Sequence, residues 1–428
     1  MPALNRVVIT GLGFITSIGL DRVQVTASLR AGHPGHSPVR WFPDCVVALA
    51  GTISGFETSS YNQNEWRWPE RYAVPRETLR GLSPHGLYAF CALEQALRDA
   101  GLSATDIADG RTGLFTASAG SPAMLRHHLN ETSEHQGQRT HPMGVVRSIA
   151  GTLSFNLAAH HRVRGAVTGF SSACAASAHA LGYACDEIRL GRQDRMLIVA
   201  GEEPVWETLL PFTGLRALSR SADPVRASRP FDKARDGFVG SGGGVALVLE
   251  SADSAAERGV TPYAELAGWG QAGDGHSPAQ SEPEGRGLAQ AMRLALADAG
   301  VSPPDVDYVN PHATSTPVGD AAEAVALRTV FGDSRPIIGA TKGMTGHPLS
   351  MSGALEAALC CIAIRDGFCP GNPQLENPDD VCAGLNLPRT ITELAPRVVL
   401  SNSSGFGGSN VALVLRSLQG SAPGGFGG

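Results

Sequence analysis

The sequence predicts an α/β protein made of two related halves, and three observations carry that expectation. Helix-patterned and strand-patterned segments alternate from end to end, as they do when helices are layered on sheets. Residues 92–103 form an apolar-striped helix closed by Gly101 and lead through Asp106-Ile107 into a strand at 112–116; residues 291–302, closed by Gly300, lead through Asp305-Val306 into a strand at 307–309. A second echo pairs the small-residue helix after Cys174, which ends near Gly191 and feeds a strand at 196–200, with the helix after His347, which ends near Gly367 ahead of a strand at 398–400. Glycine just past the last apolar turn is a helix stop in each case. The expected division is 1–252 and 253–418, joined after a strand at 244–250, with a disordered Gly-rich tail at 419–428.

Taken in order, Arg6-Val7-Val8-Ile9 opens directly as a strand, with no signal-peptide pattern before it. Trp66 and Trp68, among Glu65, Arg67 and Arg71, read as part of a dimer or insertion surface. His127-His128, with His135 and His141, lies in a polar stretch without partner Cys and reads as a solvated loop. Residues 237–244 are glycine-rich but lack the Lys and helix of a phosphate loop, so strand-and-turn packing is expected.

Composition narrows the function classes. The 428 residues carry a net charge of −6, without the basic face that nucleic-acid binding needs. The 8 cysteines show no CxxC pair and no framework spacing, so neither zinc nor disulfides are implied. No apolar run reaches membrane-spanning length. The expectation is a soluble cytoplasmic protein of a reducing compartment.

The chemistry centres on Cys174, in a run of small residues that passes straight into a helix. Unpaired N–H groups and the helix dipole at such a position favour thiolate over thiol. Taken alone, the residue fits an inert buried Cys as well. Asn310-Pro311-His312 and Gly346-His347 each place an imidazole in a short turn between a strand and a helix, where α/β proteins keep their reactive groups. A nucleophile with two imidazole partners accounts for all three.

These segments, with Arg235-Asp236-Gly237-Phe238-Val239 and the Ser401 to Asn410 stretch, resemble the motif set of elongating β-ketoacyl-[acyl carrier protein] synthases. Gly319-Asp320 with Glu323, and Gly384-Leu385-Asn386, are most similar to the type I branch. The resemblance implies a thiolase-like fold, two pseudo-symmetric halves in five αβαβα layers. It implies that Cys174 carries the acyl chain and that His312 and His347 hold the enolate formed when malonyl-carrier loses CO₂. The backbone N–H groups of Cys174 and Phe406 would form the oxyanion hole, with Phe406 as gate; Thr314 and Thr316 would bind the pantetheine arm. Lys342 would order the histidine environment together with Glu323, an ion pair being the alternative for those two, and Asp320 would order the turn after His312. Substrates ride on the phosphopantetheine of an acyl carrier protein, so no cofactor and no metal are expected. The partners implied are that acidic carrier and a second subunit, in a homodimer or a ketosynthase/chain-length-factor heterodimer. Arg71, Arg76, Arg80 and Arg126 are candidates for carrier docking.

Three departures from the family pattern suggest a specialised lipid or polyketide pathway. Ala313 stands where Gly is usual and would narrow the malonyl pocket, Ser404 where an aromatic is common, and Ser350-Met351-Ser352 in a usually Gly/Ala-rich helix start. A degradative thiolase needs a second Cys that residues 403–406 lack, and initiating or plant-type synthases resemble a Cys-His-Asn set. A non-enzymatic chain-length factor typically lacks the nucleophile that Cys174 supplies.

Overall fold

The computed structural model describes residues 4–418; the tail expected to be disordered, residues 419–428, lies outside the described residues. Ten strands define the fold: β1 (Val7–Thr16), β2 (Thr112–Ala117), β3 (Val167–Phe170), β4 (Arg195–Glu202), β5 (Gly243–Ser251), β6 (Ala264–Gly273), β7 (Tyr308–Asn310), β8 (Ile337–Ile338), β9 (Val398–Gly405) and β10 (Ser409–Arg416). They are hydrogen-bonded in the order β8-β7-β9-β10-β6-β1-β5-β4-β2-β3. The order is a palindrome of roles. From β1 outward the pairings run antiparallel, antiparallel, parallel, parallel, and from β6 outward they run the same way. The halves meet where Val8 pairs with Glu265 and Ile9 with Ala264.

Seven helices cover these sheets: α1 (Pro84–Asp99), α2 (Pro122–Glu134), α3 (Thr152–His161), α4 (Ala176–Arg189), α5 (Arg286–Asp298), α6 (Pro317–Phe331) and α7 (Ser352–Asp366). Side chains alternate across each strand, and the cores follow that parity. In β5, Val245, Leu247 and Leu249 join the central core while Ala246 and Val248 join the outer N-terminal one. In β10, Val411, Leu413 and Leu415 face the centre while Ala412 and Val414 face the outer C-terminal core. The central helices α4 and α7 pack on each other and on strands of both halves; α1 with α3, and α5 with α6, form the outer layers. This is the five-layer arrangement.

The internal echo has a packing cause. A side chain on Gly11 or Gly13 of β1 would run into the α1 backbone, and one on Gly268 or Gly270 of β6 would run into α5 and its C-terminal end. Gly101 (φ 64°) and Gly300 (φ 63°) end α1 and α5 with equivalent bonds, Leu102 N–H to Leu97 O at 2.9 Å and Val301 N–H to Leu296 O at 3.0 Å. The two helices therefore sit on their sheets at the same depth and stop at the same point.

Two surface expectations are corrected. Trp66 is 2% exposed, inside the outer N-terminal core, with Nε1 donating to Ser60 O at 2.6 Å; its polar neighbours in sequence point elsewhere. His127 and His128 lie on α2 rather than in a loop and face a cavity of about 610 Å³ with Arg76, Arg80 and Arg147. Residues 237–244 form a turn and the start of β5, as expected. Among the described residues no helix is long and apolar enough to cross a membrane.

Candidate active site

Cys174 sits in the sharp turn between β3 and α4. Ala173 there adopts φ 49°, a left-handed conformation that non-glycine residues rarely take and that marks functional turns. The turn is closed by Ala175 N–H to Ser172 O at 3.2 Å and Ala176 N–H to Ala173 O at 3.1 Å. Cys174 ends 8% exposed. Burial pushes the thiol up to about 12, and the opposing pull of Lys342 does not overcome it. The resting residue is a thiol, contrary to the helix-start expectation, because loss of water outweighs the nearby positive charge.

His347 occupies the equivalent place in the other half, ahead of α7. Its backbone is laced to the first half: His347 N–H donates to Val239 O at 2.8 Å, and Ser241 N–H to His347 O at 3.0 Å. Its Nε2 lies 3.1 Å from Cys174 Sγ, and Nδ1 lies 3.1 Å from Ser352 Oγ. His312 follows β7, and its ring stands at 87° to that of His347 with centroids 5.2 Å apart. Cys174 Sγ and one nitrogen from each imidazole all lie within 4.8 Å of one another. Burial first, and Lys342 second, hold both imidazoles well below their ordinary pKa, so both are neutral.

Of the arrangement expected for Lys342 and Glu323, it is the ion-pair alternative that is not formed. Glu323 forms no salt bridge with Lys342; its carboxylate accepts from His312 N–H at 2.7 Å, Ala313 N–H at 2.6 Å and Asn402 Nδ2–H at 2.6 Å. It staples the His312 turn. Lys342, 1% exposed, is hydrogen-bonded to Glu356 on α7. Glu356, one turn into α7, is the acid that meets the ammonium in place of Glu323. Asp320 accepts from Phe231 N–H at 2.8 Å and Ser315 N–H at 3.0 Å, the ordering role expected of it.

Thr314 and Thr316, with Oγ1 atoms 3.1 Å apart, line a cavity of about 360 Å³ that contains Cys174, His312 and His347. Phe406, 40% exposed, stands at its edge 5.7 Å from Phe212. The turn after β9 approaches Cys174 closely: a Cβ on Gly405 would fall 2.7 Å from Ser172 O and 3.2 Å from Cys174 N. Ser404 borders this cavity, and its hydroxyl donates to Asn410 Oδ1 at 2.7 Å. Ala313 does not: its methyl is wholly buried in the outer C-terminal core beside Phe231 and narrows no pocket. Ser350 is bonded to Glu202 and Met351 lies in the central core, so residues 350–352 support the site from behind. None of the four candidate docking arginines borders the catalytic cavity, whereas Arg216 does. Arg126 is paired with Glu207 at 2.7 Å and Arg71 with Asp21 at 3.4 Å.

Sequence reasoning missed Ser352, Glu356, Asn402 and Arg216. Glu356 had a signal, as the one acid among the otherwise uncharged residues 352–364 of an apolar helix. The others had none, since a serine at a helix start, an asparagine in a strand and a loop arginine are all common.

Residues 4–255 match the family model for the beta-ketoacyl synthase N-terminal domain, and residues 263–376 that for the beta-ketoacyl synthase C-terminal domain. The chain is 37% identical to the 3-oxoacyl-[acyl-carrier-protein] synthase 1 of Escherichia coli strain K12, over 97% of this chain and 100% of that one. Among solved structures it is similar to a beta-ketoacyl synthase from Burkholderia phymatum STM815, with TM-score 0.89 and 32% identity over 97% of this chain and all of that one. It is also similar to the ishigamide ketosynthase/chain length factor, with TM-score 0.85 and 32% identity over the same shares.

Proposed function

The chain belongs to the beta-ketoacyl synthase family, and on that premise we propose how Cys174, His312 and His347 divide its condensation reaction. The enzyme is an acyltransferase that joins an acyl chain to a malonyl unit on acyl carrier protein, releasing CO₂. The convergence of one sulfur and two neutral imidazole nitrogens within 4.8 Å carries the assignment of roles.

In the first half-reaction the Cys174 sulfur attacks the acyl thioester. In this scheme Ser352 Oγ, 3.1 Å from His347 Nδ1, is assigned as the donor, which would leave that ring's proton on Nε2, 3.1 Å from the sulfur, to stabilise negative charge growing there. The oxyanion lies against the Cys174 and Phe406 amides; one such donor contributes on the order of 3 kcal/mol. The departing pantetheine sulfur leaves with the thiol's proton. In the second half-reaction the malonyl carboxylate leaves as CO₂, and its bonding pair passes into an enolate whose oxygen accepts from Nε2–H of both imidazoles. His312 Nδ1 is buried without a partner, so its proton is better satisfied on Nε2, facing the cavity. The enolate carbon attacks the acyl-Cys174 carbon, the sulfur is expelled, and a proton from solvent restores the thiol. Thioester exchange and loss of CO₂ balance without electron transfer, so we assign no cofactor.

We further propose a cytoplasmic dimer that receives its substrates from an acyl carrier protein. β3 is an uncovered sheet edge with Val167, Thr168 and Gly169 exposed, a surface suited to pairing with a second chain, either a copy of itself or a chain-length-factor-like subunit. The specialised-pathway reading now rests on Ser404, the one departure that borders the cavity. Intact-mass spectrometry with a panel of acyl-carrier thioesters tests the scheme. We expect an acyl adduct on the wild-type chain and none on Cys174→Ala; an adduct retained by the variant would refute the nucleophile. Preference for ordinary saturated C4–C14 chains would refute the specialised pathway.

A further inference from the structure

Outside the catalytic cavity, Glu94 on α1 meets His160 and His161 at the end of α3. One carboxylate oxygen and one nitrogen from each ring lie within 4.8 Å of one another. His161 is 8% exposed, and its Nε2 is buried with no hydrogen-bond partner. It points toward Glu94 Oε1 at 3.7 Å, too far for a hydrogen bond. Phe90 walls the cluster, with its ring centroid 5.0 Å from that of His160 and 6.0 Å from that of His161. Thr78 Oγ1 lies 2.8 Å from His160 Nδ1 and holds that ring in place.

We propose that Glu94, His160 and His161 bind one divalent transition-metal ion of the zinc class, through two imidazole nitrogens and one carboxylate oxygen with water completing the shell. The donor set is the borderline nitrogen and oxygen combination that such ions take, and a magnesium or calcium site would be all oxygen. Zinc–ligand bonds of about 2.0–2.2 Å set tetrahedral donors roughly 3.3–3.5 Å apart. The His161–Glu94 separation of 3.7 Å is already close to that, and the full triad closes with a shift of about an ångström. An ion would supply the partner that His161 Nε2 lacks. The site faces away from the chemistry: it ties α1 to α3, and α3 leads into the exposed strand β3, so its effect is on the rigidity of that edge. Arg98, one turn along α1 from Glu94, is the competing positive charge acting on the carboxylate.

The test uses tag-free Cys174→Ala protein, which removes the thiol of the other Cys/His cluster. Zinc is titrated against a chromophoric chelator, and cobalt(II) is used as a visible-absorption reporter of tetrahedral coordination. One ion per chain is expected. His160→Ala/His161→Ala should weaken binding by at least about 100-fold, since two of three protein ligands are lost. Glu94→Gln, which keeps the packing, should weaken it and abolish the zinc-dependent rise in Tm. No stoichiometric binding by the Cys174→Ala protein would overturn the proposal. So would binding unchanged in both sets of variants, or binding lost instead in His127→Ala/His128→Ala.

Discussion

Replacing Glu323 by glutamine should separate the two half-reactions. The carboxylate accepts three hydrogen bonds of 2.6–2.7 Å, two of them from the His312 and Ala313 amides. Glutamine keeps the shape but offers a single acceptor oxygen, so at least one of those N–H groups would face an NH₂. Bonds to a charged acceptor contribute about 1.5–3 kcal/mol each, and an orphaned buried donor costs about 1–3 kcal/mol. A loss of about 2–4 kcal/mol concentrated on the His312 turn follows. A displaced His312 removes one of the two donors to the enolate, which lowers the decarboxylation rate by about 10²-fold. Cys174 and His347 are held by other elements, so acylation should change by less than about threefold. The assay is single-turnover acylation by mass spectrometry beside CO₂ release from malonyl-carrier, with circular dichroism to check the fold. Equal losses in both steps, or an unaffected decarboxylation, would refute the assignment of Glu323 to the His312 turn.

Three other outcomes are expected. Burial raises Glu202 to about 7, so its contribution to stability is full below the unfolded pKa of about 4.3 and is lost as pH rises through the folded value. Glu202→Gln should therefore flatten the stability profile between about pH 4.5 and 7 and be at least as stable as wild type at pH 8; denaturant unfolding across that range decides it, and a steeper profile would contradict the sign. Ser404→Phe should fill space beside Asn410 and lower kcat/KM for the bulkiest accepted acyl donor at least tenfold more than for the smallest, whereas a uniform change would show that Ser404 sets no specificity. Arg216→Glu should raise KM for carrier-bound substrate while leaving acylation by a small pantetheine thioester unchanged; equal effects on the two donors would remove Arg216 from carrier docking.

The convergence of the proposed trio was legible because each member announces itself locally: Cys174 by the small residues leading into α4, the histidines by Gly- and Thr-rich turns at strand ends. The repeat was legible because helix stops such as Gly101 and Gly300 are local signals too. What the sequence hid depends on direction in space. Ala313 stands between His312 and Thr314, which both line the cavity, yet it is buried in the outer C-terminal core instead. Lys342 finds Glu356 rather than Glu323 because α7 crosses behind the site. Trp66 is buried beneath charged sequence neighbours because its irregular segment folds back on the outer core. The protonation of Cys174 was misjudged because one local effect, the helix start, was weighed without the burial that the assembled halves impose.

The uncovered edge at β3 and Cys174 are four residues apart, since Phe170 ends the strand and Cys174 follows in the turn. An isolated chain would hold its reactive turn on a frayed border, free to breathe with it. A second chain laid along that border would clamp the strand from outside and steady Ala173 in its unusual conformation. Assembly would thus act as an inspection step, with full reactivity at the sulfur reserved for chains that have found a companion. Acylation rate per chain should then fall on dilution, at concentrations where the pair comes apart.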